Sequence, residues 1–322
     1  MFVASSPPCA AAVEMTVRGV TAGAKPSILA VVVLYQMAAS RSPTLLSFCR
    51  ALDESGLASQ FSLLIYDNSP SWQAVLGSFP VAIQYLHDPA NGGVAAAYNA
   101  ALQMAEKDGV EWLLLLDQDT EISADFLKTL WRRLLETAAE RRFAAWVPKI
   151  LSRNKIVSPA RVLWVGGTAP LDKALCGEAP GEIAAINSGA LLRVSALHEI
   201  GGFNRDLRLD FLDIWVFNRL HRAGYRIYVL DAVLPHELSF SHMESVPLNR
   251  YQNFLYAEAL FYQCCKSPLQ NLFYCCFRLP MRVVKTLVVP SRRRLFLSVL
   301  THLTRHVRQS VVRKSFMGQR EK

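Results

Sequence analysis

Runs of apolar residues alternate with amphipathic segments along the first half of the chain. Residues 28–35 read ILAVVVLY, a continuous β-branched run that is typical of a strand buried on both faces. The further strands predicted in this half lie at 61–66, 81–86, 112–116 and 143–147, and the helices at 42–54, 94–107 and 123–137. Strands that alternate with helices predict an α/β fold with a mostly parallel central sheet flanked by helices.

The second half has a different pattern. Residues 152–185 are rich in Gly and Pro and are predicted as loop. The elements predicted after them are strands at 188–194 and 226–230, helices at 196–200 and 211–223, and an aromatic-rich helical region at 249–277. We therefore divide the chain into a flexible N-terminal extension (1–27), an α/β domain (28–260) and a basic amphipathic helical C-terminal region (261–322).

Basic residues are concentrated at the C-terminal end of the chain. Twelve of the 35 Lys and Arg residues and one of the 26 acidic residues lie from Arg278 onward, which leaves 23 basic and 25 acidic residues before it. A nearly neutral body argues against a nucleic-acid-binding surface, whereas a basic amphipathic segment suits an anionic membrane surface. A solvated basic tail is the alternative.

Hydropathy excludes two other classes of protein. With 52% hydrophobic residues the chain has too much apolar surface for intrinsic disorder. No run reaches the roughly 20 apolar residues that cross a bilayer, and the first residues lack the basic start of a signal peptide. We therefore expect a cytoplasmic protein that lies peripherally on the inner face of the cytoplasmic membrane.

Polar residues follow the predicted strands at the edge where a parallel sheet binds ligands. Tyr35 ends the first strand, Asp67 follows the second, and Asp117 and Asp119 follow the fourth. Two carboxylates at one strand end suit Mg²⁺ or Mn²⁺, and the alternative is a turn that caps the next helix. A nucleobase or ribose contact and an Asx turn are equally good interpretations of Asp67.

A glycine-bearing turn precedes the helix predicted at 94–107. Asn91, Gly92 and Gly93 enter it, and Asn99 lies in its second turn. Small residues allow close backbone approach, and a helix N-terminus favours anions. The alternative is an ordinary Asn-Gly turn before an Ala-rich buried helix.

These segments together resemble the family 2 inverting nucleotide-sugar glycosyltransferases of GT-A fold, over about residues 28–260. The resemblance is carried by LLIYDNS, HDPANGGVAAAYNAAL, WLLLLDQDTEI and INSGALLRVSALHEIGGFNRDLRLDFLDIWVFNRLHRAGYRIYV. The stretch around Asn91 and the strand end that follows it are most similar to the rhamnosyltransferase subgroup. The resemblance implies a Rossmann-like nucleotide-binding half, an acceptor half, a dTDP- or UDP-sugar donor, with dTDP-rhamnose favoured, and a polysaccharide or lipid-linked acceptor.

The resemblance also implies a role for each matching residue. Asp213 is the implied catalytic base. The implied donor-binding residues are Tyr35, Asp67, Asn91, Gly93, Asn99 and Asp117. The implied ligands of Mg²⁺ or Mn²⁺ are Asp119 and His236.

The surroundings of Asp213 bear on its role. Phe211, Leu212 and Trp215 place it in apolar company, which raises the proton affinity of a carboxylate as a general base requires. A helix N-terminal acid is the alternative. Trp215 stands where the family has a second acid, and Asp210 is the nearest acidic substitute. That departure leaves a second hypothesis, a catalytically inactive GT-A-fold partner of glycan assembly at the membrane.

Overall fold

The structure is a computed structural model that describes residues 13–17, 27–75, 78–164, 166–236 and 247–304. Most of the predicted N-terminal extension and the last 18 residues lie outside these ranges. No helix within them has the length and apolar character needed to cross a membrane.

The described residues form strands in two sheets with helices around them. The strands are β1 (Val13–Val17), β2 (Ile28–Leu34), β3 (Phe61–Asp67), β4 (Ile83–His87), β5 (Trp112–Asp117), β6 (Phe143–Ser152), β7 (Lys155–Ser158), β8 (Ala160–Val162), β9 (Thr168–Pro170), β10 (Gly177–Glu178), β11 (Ile183–Ala184), β12 (Ala190–Arg193) and β13 (Arg226–Pro235). The α-helices are α1 (Pro43–Ser55), α2 (Val94–Asp108), α3 (Ala124–Thr137), α4 (Val194–Glu199), α5 (Leu212–Arg222), α6 (Leu248–Cys265), α7 (Pro268–Phe273) and α8 (Leu279–Val288).

The larger sheet has the strand order β1-β4-β3-β2-β5-β12-β6-β13-β10, with β7 paired to β6. Strands β2 to β5 pair in parallel, and so do β6 and β13. Strand β12 lies antiparallel between β5 and β6. The predicted α/β fold with a mostly parallel central sheet is therefore confirmed.

Two apolar cores cover the two faces of this sheet. Val31 belongs to the core under α2, α4 and α5, while its neighbour Val32 belongs to the core under α1 and α3. Both side chains are fully buried. A strand buried on both faces needs apolar residues at every position, which explains the continuous run that predicts β2.

Three predicted boundaries are wrong. Residues 13–17 were expected to lie in a flexible extension, but they pair antiparallel with β4, where they cover the backbone groups of an edge strand. The predicted loop at 152–185 contains β7 to β11. The predicted helix at 249–277 is interrupted after Cys265, because Ser267 caps a new helix and Pro268 occupies its first turn.

Helices α6 to α8 form a layer against the start of α5. The ring of Phe211 lies 5.3 Å from that of Phe254 and 5.7 Å from that of Phe261. Glu258, which is buried, accepts from both ends of the Arg282 guanidinium. Arg282 belongs to the basic C-terminal region, and this ion pair places its guanidinium inside the layer.

Candidate active site

Asp117 is the last residue of β5, and Asp119 follows two residues later. The N-terminus of α1 holds this turn in place, since the Ser42 hydroxyl donates to the Gln118 carbonyl at 2.7 Å. The Thr44 hydroxyl accepts from the Thr120 amide at 2.8 Å. Nothing local in the sequence connects Ser42 and Thr44 with this turn, so sequence reasoning missed both residues.

The two carboxylates of this turn lie on either side of His236. The His236 ring is 4.0 Å from the Asp117 carboxylate and 3.9 Å from that of Asp119, and its Nδ1 lies 3.0 Å from the Thr120 hydroxyl. His236 follows β13, so residues 117 positions apart in sequence meet at one sheet edge. The structure therefore brings together the predicted metal ligands, although no group of three or more His, Cys, Asp or Glu among the described residues is already arranged to hold a metal ion.

The electrostatic state of Asp117 reflects this crowding. Burial raises the pKa of Asp117 to about 6, the charge of His236 lowers it, and the charges of Asp119 and Asp213 raise it. The effect of Asp213 shows that the predicted base lies near the same carboxylate. A cation placed among these acids would relieve their mutual repulsion.

Asp67 is fully buried at the end of β3. One carboxylate oxygen accepts from the Ser69 amide at 2.9 Å, and the other accepts from Gln73 and from the Tyr85 hydroxyl, both at 2.7 Å. The bond to Ser69 is the Asx turn that was the alternative interpretation. Gln73 also donates to the Met37 carbonyl, so this carboxylate joins the loops after β2 and β3.

Tyr35 lies at the same edge, immediately after β2. Its backbone amide donates to the Gln118 side chain at 2.8 Å, and its own side chain is exposed. The exposed ring of Tyr35 is therefore accessible to a ligand at this edge, whereas the buried Asp67 carboxylate holds the loops after β2 and β3 by hydrogen bonds.

The turn before α2 requires glycine at one position. Gly93 has a φ of +84°, and a Cβ there would lie 2.5 Å from the Arg208 carbonyl oxygen. That oxygen accepts from the Val94 amide at 2.7 Å, and the Arg208 guanidinium donates to the Asn91 carbonyl. The α2 N-terminus was predicted to favour anions, but the Arg208 carbonyl already occupies it.

Asn99 is a predicted donor-binding residue that the structure places elsewhere. Its amide nitrogen donates to the carbonyls of Ala95 and Phe203, and its oxygen accepts from the Phe203 amide at 2.9 Å. The side chain is buried. Asn99 therefore joins α2 to the loop before α5, and these bonds use both of its N–H groups.

Asp213 lies in the first turn of α5, where one of its oxygens accepts from the Ile214 amide at 2.8 Å. Burial raises the pKa of Asp213 to about 6. Asp210, the other acid near this position, forms an ion pair with Arg250. Since that pair already engages the Asp210 carboxylate, Asp213 stays the candidate base of the two acids.

Tyr98 lies near Asp117 and Asp213, and sequence reasoning missed it. Its side chain is fully buried in α2, and its hydroxyl has no hydrogen-bond partner among the described residues. Burial raises its pKa well above the ordinary value, and the charges of Asp117 and Asp213 raise it further. In sequence, a single Tyr in an Ala-rich helix is typical of core packing. Only the fold therefore reveals that Tyr98 lies near Asp117 and Asp213.

Comparisons with known proteins identify the fold and the class of enzyme. Residues 50–201 match the family model described as glycosyl transferase family 2. The chain has the GT-A fold and is a glycosyltransferase. The matched region contains the Asp117-to-Asp119 turn and Gly93, whereas Asp213 and His236 lie beyond it. No curated protein matches the sequence.

Solved structures support the same fold over most of the chain. A mannosyltransferase from Pyrobaculum calidifontis, PcManGT, in complex with GDP-Man and Mn²⁺, is 14% identical with a TM-score of 0.54, covering 89% of this glycosyltransferase and 88% of that chain. TarS 1-349 of S. aureus is 15% identical with a TM-score of 0.51, covering 85% and 91%. GalNAc-T7 with UDP, GalNAc and Mn²⁺ is 12% identical with a TM-score of 0.53, covering 86% and 54%.

Proposed function

We propose that this glycosyltransferase is a metal-dependent, inverting enzyme that moves a sugar from a nucleoside diphosphate to a glycan acceptor. The observation that carries the proposal is the meeting of Asp117, Asp119 and His236 at one sheet edge, with Asp213 near enough to perturb Asp117. One group of residues thus suits a bound cation, and one separate carboxylate suits proton removal. An inverting displacement needs these two functions and no enzyme nucleophile.

The proposed cation is Mg²⁺ or Mn²⁺, held by Asp119 and His236 with Asp117 beside them. Carboxylate oxygens with few protein ligands suit these ions, which complete their shell with phosphate and water. When bound, the ion would neutralise charge on the departing diphosphate. Two of the fold neighbours contain Mn²⁺, which supports the assignment.

The proposed base is Asp213. Its carboxylate removes the proton of the acceptor hydroxyl while that oxygen forms a bond to the anomeric carbon, and the bond from that carbon to the diphosphate breaks. Attack comes from the face opposite the leaving group, so configuration inverts. The raised pKa of Asp213 favours proton acceptance near neutral pH.

We propose rhamnose from dTDP-rhamnose as the donor sugar, and another dTDP- or UDP-sugar as the alternative. The resemblance around Asn91 and Asp117 supports rhamnose, and the exposed ring of Tyr35 offers a surface for a base. The proposed acceptor is a polysaccharide or lipid-linked glycan. The basic C-terminal region supports placing the enzyme at the anionic inner face of the cytoplasmic membrane.

A donor screen tests this function. Purified protein is incubated with Mg²⁺ or Mn²⁺ and a panel of nucleotide sugars, and nucleoside diphosphate release is measured with and without membrane extract as acceptor. Asp119→Asn is expected to abolish metal-stimulated release. Asp125→Asn, which changes an exposed acid on the neighbouring helix, is the matched control and is expected to leave release unchanged.

Each outcome separates the hypotheses. Release with dTDP-rhamnose supports the rhamnosyl assignment, and release with a different donor overturns only that assignment. Donor binding in a calorimeter with no release under any condition would overturn the catalytic proposal. It would favour an inactive partner of glycan assembly, with Trp215 in place of the second acid as its explanation.

A further inference from the structure

An apolar stripe runs along the outer face of α7, the π-helical turn Tyr274–Arg278 and α8. These elements follow one another from Pro268 to Val288, which is roughly 30 Å of helix. The exposed apolar side chains recur every three to five residues as far as Leu287, with Val288 next to it, and therefore lie on one face. They are Leu269, Leu272, Phe277, Met281, Val284, Leu287 and Val288.

The opposite face of these helices fixes the orientation of the stripe. Arg282 pairs with the buried Glu258, and the Tyr274 hydroxyl donates to the same carboxylate at 3.0 Å. The Arg278 guanidinium donates to the Tyr262 hydroxyl at 2.8 Å. A helix on the surface of a water-soluble protein usually turns its apolar face inward and its polar face to the solvent. Here the inner side carries polar anchors and the outer side carries apolar residues, so the distribution is reversed.

A basic cavity of about 340 Å³ lies beside the stripe. Arg278 and Lys285 supply its net positive charge, because the Arg282 guanidinium beside them is paired with Glu258. Its other lining residues are Tyr251, Met281, Thr286 and Leu295. Met281 belongs to both features, so the cavity borders the stripe. A phosphate group is the ligand that several guanidinium and ammonium groups recognise.

We propose that the α7–α8 stripe and this cavity form a docking surface for an anionic phospholipid bilayer, with the stripe in the interfacial region and lipid phosphates beside Arg278 and Lys285. The proposal deepens the membrane placement in the proposed function and rests on it for its biological purpose. It does not depend on the identity of the donor or on turnover.

Charge selects a bilayer over a second copy of the chain. Residues 267–304 contain six Lys and Arg residues and neither Asp nor Glu, and the 18 residues after them contain six more basic residues and one acid. Two copies meeting through this surface would bring like charges together. An anionic leaflet attracts them, at about fivefold in affinity for each basic residue near the surface.

The position of the docking surface also suits the proposed acceptor. Phe261, Tyr274 and Leu279, which pack beneath the stripe, form one cluster with Ile214 and Trp215 of α5. These two residues directly follow Asp213. A membrane in contact with the stripe would thus lie one helical layer away from the proposed base.

Co-sedimentation with vesicles tests the proposal. The full chain is mixed with phosphatidylcholine vesicles that contain either no or 30% phosphatidylglycerol, and we expect binding to the anionic vesicles only. Leu272→Glu with Val284→Glu changes two exposed stripe residues. Leu46→Glu with Leu135→Glu changes two similarly exposed residues on α1 and α3, and serves as the control. The stripe pair should lose most binding and the control pair should retain it.

A second set of variants tests charge. Lys285→Gln with Arg293→Gln and Arg294→Gln removes three basic residues of this layer, and affinity for anionic vesicles should fall on the order of 100-fold at low salt. Lys128→Gln with Lys155→Gln, which are exposed on other elements, should change it little.

Three results would overturn the docking surface. They are equal binding to neutral vesicles, equal loss in the stripe and control variants, and a dimer in sedimentation equilibrium that the stripe variants abolish. Nucleoside diphosphate release, measured without membranes on the same variants, separates this failure from failure of the proposed function.

Discussion

The proposed donor edge, which contains Tyr35, Asp67 and the Asp117-to-Asp119 turn, and the proposed acceptor side, which contains Asp213 and the layer of α6 to α8, are built by different forces. At the donor edge, side-chain hydrogen bonds hold each loop, as Thr44 does at the Asp117 turn and Gln73 does at Asp67. On the acceptor side, aromatic and aliphatic packing surrounds Asp213, and the nearby Tyr98 hydroxyl has no partner among the described residues. Hydrogen bonds fix the loops at the donor edge, whereas apolar packing surrounds the acceptor side, and burial raises the pKa of one acid in each region, Asp117 and Asp213, to about 6.

The largest expected effect is that of Asp213→Asn. Removing the base should lower kcat by about 10²- to 10⁴-fold, because proton removal is lost while the donor edge is intact. Calorimetric donor affinity should stay within about twofold if the two regions are independent. Asp206→Asn, an exposed acid in the preceding loop, is the control. A loss of donor affinity as large as the loss of kcat would contradict the division.

Glu258→Gln tests the packing of the acceptor side. The substitution leaves the Arg282 guanidinium in a buried site without a counter-charge, and the free energy of unfolding should fall by about 3–5 kcal/mol. Glu136→Gln, at an exposed ion pair with Arg133, should cost less than about 1 kcal/mol. Urea unfolding of both variants makes the comparison, and equal costs would mean that Glu258 is not a structural anchor.

Gly93→Ala tests the close approach of the Gly93 backbone to the Arg208 carbonyl. The new Cβ meets the Arg208 carbonyl and the residue must keep a positive φ, so a cost of about 2–4 kcal/mol is expected. Gly56→Ala has a similar φ of +72° but no atom within 4 Å of the new Cβ, and should cost only about 1 kcal/mol. Thermal unfolding measures the difference, and similar costs would show that Arg208 moves aside.

The smallest effect is a pH dependence on the acceptor side. Asp213 must be ionised to accept a proton, and its raised pKa of about 6 means that it is protonated below that pH. The value of kcat/KM should therefore fall about tenfold per unit below pH 6. Donor affinity followed over the same range isolates this titration from that of the donor edge. A flat profile down to pH 5 would remove Asp213 from the role.

Local patterns predicted the parallel core well, because strands buried on both faces leave continuous apolar runs. The direction of β12 could not be predicted, since a run of four buried residues gives the same sequence pattern in a parallel and in an antiparallel pairing. Asp117 and Asp119 could be predicted because they lie at a strand end and strand ends of one sheet meet at one edge, whereas His236 was implied only by the family resemblance. The bonds of Asn99 to Phe203 and of Arg282 to Glu258 could not be predicted, because these partners are distant in sequence and only the tertiary fold brings them together.

The π-helical turn Tyr274–Arg278 sets the rotation of α8 about the helix axis relative to α7. A π turn carries an extra residue relative to α-helix, so it rotates everything that follows about the helix axis. Deleting one residue from it would turn α8 by roughly 100°, which would carry Arg282 away from Glu258 and bring stripe residues toward the core. The length of this turn, more than its composition, thus determines which side of the C-terminal layer is exposed and which side is buried.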